Sequence, residues 1–169
     1  SFNNKPIVPF EEIEKKFPSS QFHCFVAMSY SNLNVNRKNK FFELQSKGYY
    51  LPSFVSPHAC VLSEMPIGQN CLILENNVIQ PFVSIGNNVT LWSGNHIGHH
   101  SVVNDHVFIT SHCVISGNCN IKSYSWLGVN CTLRDGLTIE EGTTIGMASC
   151  VTKNTEAYKV YMGVPAKPR

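Results

Sequence analysis

An aliphatic residue occupies every sixth position of this chain from Val55 to Val151. The series opens Val55, Val61, Ile67, Ile73 and closes Leu133, Ile139, Ile145, Val151, with seventeen hits and no miss. Ile, Leu and Val make up roughly a fifth of an average chain, so chance produces such a run about once in 10^12. A helix repeats every 3.6 residues and an ordinary strand every two, so neither accounts for six. A six-residue period is the signature of a solenoid whose flat strands stack coil upon coil. Three hexads make one triangular coil of eighteen residues, so residues 55–151 supply between five and six coils. The expected fold is therefore mainly β: a parallel β-helix, left-handed as hexapeptide repeats are, against the usual right-handed crossover.

The other repeat positions agree. With the aliphatic position as i, position i+4 is mostly small: Cys71, Val83, Ser101, Cys113, Cys119, Ser125, Cys131, Thr143 and Ser149. Small residues suit the cramped inner corner of a triangle. Thirteen of the seventeen i+3 positions carry Asn, Gly or His, including Asn70, Asn88, His100, His106 and His112. Those residue types best tolerate positive φ, so i+3 reads as a left-handed corner. Glycine recurs at i+1, where the chain bends tightly.

A chain of 169 residues can bury one substantial core. Thirteen basic residues stand against eleven acidic ones, a balance that points to neither nucleic acid nor a membrane surface. No run approaches eighteen apolar residues and no secretory signal pattern is visible, so a cytoplasmic protein is expected. Of the seven cysteines, Cys71, Cys113, Cys119 and Cys131 fall in the small inward slot and read as buried thiols in a reducing compartment. No Cys-x-x-Cys pair suggests a thiolate zinc site.

Residues 1–54 carry no hexads and read as an α/β segment. Lys5–Phe17 suggests a short helix, Gln21–Met28 a buried strand, and Asn36–Gly48 an amphipathic helix ended by a glycine cap. The expected division is a partial α/β domain over 1–54, the β-helix over 55–151 and a tail or loop over 152–169. The first segment reads as the second half of a small domain whose beginning is absent.

Four stretches are more specific than the repeat: Ile97-Gly-His-His-Ser-Val-Val-Asn-Asp-His106, Ile115-Ser-Gly-Asn118, Leu127-Gly-Val-Asn130 and Gly163-Val-Pro-Ala-Lys167. With them the chain resembles the hexapeptide-repeat sugar acetyltransferases of the PglD and NeuD type. That resemblance implies a small nucleotide-sugar domain ahead of a left-handed β-helix, a homotrimer, and acetyl-CoA lying in grooves between neighbouring helices. The amino-terminal segment lacks the Gly-rich first turn usual in such proteins. The implied acceptor is a sugar on a nucleotide carrier, by preference its amino group. O-acetylation of a sialic-acid-type sugar is the alternative. No metal and no nucleic-acid or membrane partner is expected.

Acetyl transfer from a thioester needs a base for the attacking group, a donor for the oxyanion, and a groove for the pantetheine arm. His99 stands at i+2, where no backbone rule calls for histidine, and coincides with the family's catalytic histidine. Imidazole suits proton removal near neutral pH. In PglD-like enzymes an acidic residue follows that histidine and orients it. Here the position is His100, which cannot play the carboxylate role. Asp105, one corner away, is the candidate replacement, acting across a subunit boundary. Phe108 stands where PglD-like enzymes carry a histidine near the acetyl group, and His106, two residues earlier, is the candidate substitute. The corner position of His106 offers an equal structural explanation for it. Gly117 matches the family position whose N–H faces the acetyl carbonyl. It lies eighteen residues after His99, hence directly above it. Trp126 follows, and Gly128 matches a second cofactor-lining position. Pro165, Ala166 and Lys167 resemble the loop that closes over the CoA nucleotide, with Lys167 and Arg169 available to its phosphates. Phe82, Trp92, Phe108 and Trp126 point outward and are candidates for a subunit interface or groove. Two rival readings remain: a γ-class carbonic anhydrase, which uses three histidines on zinc in the same fold, and a non-catalytic trimeric scaffold.

Overall fold

The computed structural model describes residues 3–169. The first two residues of the expected amino-terminal domain lie outside them. From Phe54 onward the chain winds through two-residue strands, each paired in parallel with the strand eighteen residues later, as in Phe54↔Leu72 and Ile115↔Leu133. Three sheets result. Sheet I runs from Phe54–Val55 through Leu72–Ile73, Thr90–Leu91, Phe108–Ile109 and Trp126–Leu127 to Thr144–Ile145. Sheet II runs from Cys60–Val61 through His96–Ile97 to Cys150–Val151. Sheet III runs from Ser84–Ile85 through Val102–Val103 and Asn120–Ile121 to Thr138–Ile139, and Ile67 extends it as a single bridge to Ile85. The structure is a left-handed parallel β-helix of about six coils, as the six-residue period predicts. The last coil is shorter: Thr144 pairs with Val160, sixteen residues on.

The hexad aliphatics fill the bore. From Ile73 to Val151 each is at most 4% exposed. Burying such a side chain is worth ~1.5–3 kcal/mol. The small i+4 residues line the inner corners and are buried. Two of these inner positions hold asparagines, Asn77 and Asn95, which bridge successive coils. Asn95 Nδ2 donates to Asn77 Oδ1 at 3.0 Å, and Asn95 Oδ1 accepts from the Cys113 N–H at 2.8 Å.

Every i+3 residue from Asn70 to Ala148 adopts positive φ. The rule extends further than residue type predicts, because Phe82, Tyr124 and Ala148 obey it too. Stacking imposes the corner on whichever side chain stands there, at a cost of about 1–2 kcal/mol for a residue with a Cβ. Conversely, His58 and Asn154, near the two ends, do not take this conformation.

In the amino-terminal segment a 3-10 turn at Phe10–Glu12 leads into the short helix Ile13–Lys16, and a longer helix spans Val35–Ser46. The longer helix ends as expected. Gly48 turns at φ +81°, its N–H bonds to Gln45 O, and the Tyr49 N–H bonds back to Leu44 O. The expected strand over Gln21–Met28 does not form. That stretch is extended but joins no ladder, holding on through Cys24 N–H to Tyr50 O and Val26 N–H to Asn70 Oδ1. Its alternation is incomplete, since Val26 is buried while Phe22, Phe25 and Met28 stay exposed. The stretch from Phe25 to Tyr30 crosses the outer face of sheet I, above a largely apolar cavity of about 240 Å³. Val26, Phe41, Leu44, Tyr49 and Leu51 form a second, smaller core.

Candidate active site

Because the register is constant, residues eighteen apart stack into columns along each corner. The corner after sheet II carries Pro81, His99, Gly117, Asp135 and Lys153 in its i+2 column. Pro81 below and Gly117 above present little bulk, which leaves a slot for the imidazole. A methyl group placed on Gly117 would lie 2.7 Å from Cε1 and Nε2 of His99, so the ring rests directly against that glycine. The Gly117 N–H is not used in any backbone hydrogen bond among the described residues. An imidazole and a free backbone donor therefore share one edge, as the stacking arithmetic predicts.

The neighbours of His99 differ from the expectation. Its Nδ1 stands 3.0 Å from Nδ1 of His100, the rings meeting edge to face at 5.2 Å between centroids. His100 in turn lies over the ring of Phe82, at 4.7 Å. Asp105 is on the next corner, after sheet III, where its Oδ1 accepts from the Asn87 N–H at 2.6 Å and caps the coil below. Within one chain it is a corner brace.

His106 occupies the i+3 column of that same corner and is only 3% exposed. Its Nδ1 meets Asn88 Nδ2 at 2.9 Å, Tyr124 stacks on it at 5.3 Å, and Phe41 and Phe42 of the long helix pack edge-on. Burial pushes its imidazole down to about 4; Asp105 opposes this and the nearby Arg37 and Lys38 add to it. It is thus a neutral packing group beneath the helix, away from the His99 edge. Phe108, expected to face outward, is also buried, capped by Tyr30 at 5.0 Å between centroids. Tyr30 covers Trp126 as well, at 5.4 Å. These two aromatics of sheet I therefore pack against the chain's own amino-terminal segment. Gly128 sits on the corner after sheet I, where a side chain would strike the Met147 backbone nitrogen at 2.7 Å. Trp126 and Gly128 thus lie apart from the His99 edge within one chain.

The tail reaches that edge. Val160–Gly163 and Ala166–Pro168 form an antiparallel hairpin at the end of sheet I. Pro165, Ala166 and Lys167 line a cavity of about 340 Å³ together with Thr152, Lys153 and Asn154, which end the His99 corner. Lys153, three coils above His99, is a cation that sequence reasoning passed over, although adding fifty-four to ninety-nine would have found it.

Arg37 was also not anticipated. It is 1% exposed and reaches from the long helix into oxygens of two successive coils and its own helix cap. Nη1 donates to the Asn88 carbonyl and to Thr90 Oγ1, and Nη2 to Asn34 Oδ1, His106 O and Val107 O at 3.1–3.3 Å. Burial lowers the guanidinium to about 10, so it stays charged at neutral pH. No carboxylate is among its partners; the cation is held by oxygen dipoles and locks the helix to the β-helix.

All seven cysteines are free thiols. Among the described residues no cluster of three His, Cys, Asp or Glu is placed to hold a metal ion. No helix among them is long and apolar enough to cross a membrane.

Comparison with solved structures finds the same fold in many chains, three of them as follows. The acetyltransferase domain of PglB from Neisseria gonorrhoeae FA1090 superposes with a TM-score of 0.91 at 24% identity, over 100% of this chain and 82% of that one. WeeI from Acinetobacter baumannii AYE superposes at 0.91 with 21% identity, over 100% and 80%. PerB from Caulobacter crescentus superposes at 0.66 with 20% identity, over 93% and 73%. At these identities the likeness is one of fold. No curated protein matches the chain. Family comparison matches residues 50–159, nearly the whole β-helix, and on that match the chain belongs to the family described as the GMPPB C-terminal domain.

Proposed function

We propose that the chain is an acetyl-CoA-dependent acetyltransferase acting on a nucleotide-linked sugar, by preference on its amino group, with His99 as general base. The observation that carries this is the contact of the His99 ring with Gly117, whose N–H is free. One edge thereby offers a proton acceptor and an oxyanion donor side by side. His99 takes the proton as the neutral acceptor attacks the thioester carbonyl, Gly117 N–H steadies the developing oxyanion, and the departing thiolate recovers the proton.

The length of the edge fits the co-substrate. Strands stack ~4.8 Å apart, so the three coils from His99 to Lys153 span ~14 Å. A pantetheine arm is of that order, and the tail cavity with Lys153 and Lys167 stands at its far end to receive phosphates. The neighbours add support: the PglB domain is also described in complex with acetyl-CoA, and PerB with CoA and GDP-perosamine. We assign His106 to packing and Asp105 to bracing within its own chain. We further propose a homotrimer, in which the corner bearing Gly128 of one copy faces the His99 corner of the next. Val102 and Val114, exposed on sheets III and II, are apolar surface for such contacts. The free thiols suit a cytosolic location.

The test is release of CoA thiol from acetyl-CoA with a panel of nucleotide-linked amino and hydroxy sugars, for the wild type and His99→Ala. Turnover with an amino sugar that His99→Ala abolishes supports the proposal. Turnover with hydroxy sugars alone moves the reading to O-acetylation. Failure to bind CoA refutes it.

A further inference from the structure

A base on an open edge needs something to set which of its nitrogens carries the proton. The two Nδ1 atoms of His99 and His100 stand 3.0 Å apart, a hydrogen-bond distance that requires one to donate and the other to accept. We infer that His100 is the positioning residue of the site: its unprotonated Nδ1 accepts from His99 Nδ1–H and thereby leaves the lone pair of His99 on Nε2, the nitrogen lying against Gly117. This inference deepens the acyltransferase reading and rests on it for its catalytic consequence.

Two features of the corner hold His100 in this role. Its backbone is left-handed at φ +59°, as corner stacking requires. That turn brings two adjacent side chains together instead of splaying them. Its ring lies over Phe82, itself at φ +63°, a conformation that a bulky aromatic rarely adopts and that surrounding structure must sustain. The aromatic floor packs against one face of the His100 ring, while its Nδ1 meets that of His99. The opposite assignment, with His100 donating, would place the hydrogen of neutral His99 on Nε2 and remove its basic site. Only one tautomer of the pair is productive, and it needs no carboxylate. As His99 gains the substrate proton on Nε2, its Nδ1–H bond to His100 becomes charge-assisted and strengthens.

Two substitutions separate this from a purely structural role. Gly and Asn both accept the left-handed corner, and asparagine stands one coil above at Asn118, with φ +57°. His100→Gly removes the acceptor; His100→Asn offers Oδ1 in place of Nδ1. Nitrogen-15 spectra of histidine-labelled protein, recorded at alkaline pH, read the His99 tautomer without any substrate. The wild type and His100→Asn are expected to show hydrogen on Nδ1, and His100→Gly to revert to the Nε2–H form that a free histidine side chain favours in water. In the thiol-release assay His100→Gly is expected to lose about ten- to a hundredfold in kcat, with KM for acetyl-CoA within about twofold, and His100→Asn to recover most of it. Nε2–H on wild-type His99, or an unchanged tautomer in His100→Gly, overturns the inference. An absence of turnover in every variant defeats the acyltransferase reading, while the spectra still decide the pairing.

Discussion

Replacing Gly117 with alanine separates chemistry from folding. A methyl group there would lie 2.7 Å from Cε1 and Nε2 of His99 and 3.1 Å from Nδ1. Unstrained contacts between such atoms are about 3.5–4.0 Å, so the ring must retreat by ~1 Å. What yields is an exposed side chain, and Gly117 is not among the glycines at positive φ. The fold therefore accommodates alanine, and the less flexible unfolded chain favours it by ~0.4–1 kcal/mol. A base displaced by ~1 Å loses on the order of 10²-fold in rate, equivalent to ~2.7 kcal/mol of transition-state stabilisation. The free N–H of residue 117 survives the change, so the loss reports the position of His99 alone.

Gly98→Ala is the matched control. Its methyl group would meet the Gly117 nitrogen and the Ser116 carbonyl carbon at 2.5 Å, and these are backbone atoms of the next coil. It should destabilise by ~1–3 kcal/mol. Both variants are measured by thermal unfolding and by thiol-release kinetics under saturating acetyl-CoA. Gly117→Ala is expected to keep or raise Tm while kcat/KM drops about a hundredfold. Wild-type kcat/KM in Gly117→Ala, or a Tm loss matching that of Gly98→Ala, would refute the reasoning.

His106 predicts an acid-labile fold. Its imidazole is held near 4 when folded and returns to about 6.5 when unfolded, so the unfolded state binds the extra proton. Stability is then complete above pH ~6.5 and falls as pH drops toward 4, by on the order of 2–3 kcal/mol. Denaturant titrations at pH 7 and pH 4.5 should show a smaller drop for His106→Asn than for wild type; equal drops would clear His106. Arg37→Met should strand the carbonyls of Asn88, His106 and Val107 and destabilise by ~3 kcal/mol or more, with faster amide exchange across Val35–Ser46 as the marker; unchanged exchange there would contradict the clamp. Ala148→Gly relieves a left-handed alanine at φ +53° and should stabilise by ~0.5–1 kcal/mol. A fall in its thermal midpoint would count against corner strain.

The β-helix was legible because its two determinants are local and repeat. Each coil needs an aliphatic wedge pointing inward and a residue at the corner that tolerates positive φ, and both recur at fixed spacing. Columns follow by adding eighteen, which placed Gly117 over His99 and would have placed Lys153 at the far end of the same edge. What eluded the sequence depends on contacts with no period. The carbonyls held by Arg37 lie fifty-one to seventy residues away. Tyr30 caps Phe108 and Trp126, so two outward aromatics that suggested an interface are covered within the chain. His100 lacks the negative charge that the resemblance leads one to expect there, yet orienting an imidazole requires only an acceptor at its Nδ1. The expected strand over Gln21–Met28 does not form because its second half crosses the face of sheet I, where the ladder is already complete within the β-helix, and its first half meets only the Tyr50 carbonyl through Cys24.

The open edge leads to one more expectation. His99 and His100 are both exposed in the single chain, while acyl transfer in preference to hydrolysis requires that water be kept from the thioester. The two other candidate cofactor contacts, Trp126 and Gly128, stand on a face and a corner that His99 does not share. On the proposed function, one chain supplies the base and the tail cavity but leaves the groove without a second wall. A neighbouring copy related by threefold rotation can present its Gly128 corner to that edge, making activity a property of the assembly. Specific activity should then fall on dilution in step with dissociation, measured by light scattering, before any loss of circular dichroism. Valine-to-lysine changes at Val102 or Val114, exposed on sheets III and II, should shift that fall to higher protein concentration. A dissociated chain that keeps full specific activity would show that the edge works alone and would remove the reason for placing Trp126 and Gly128 in the site.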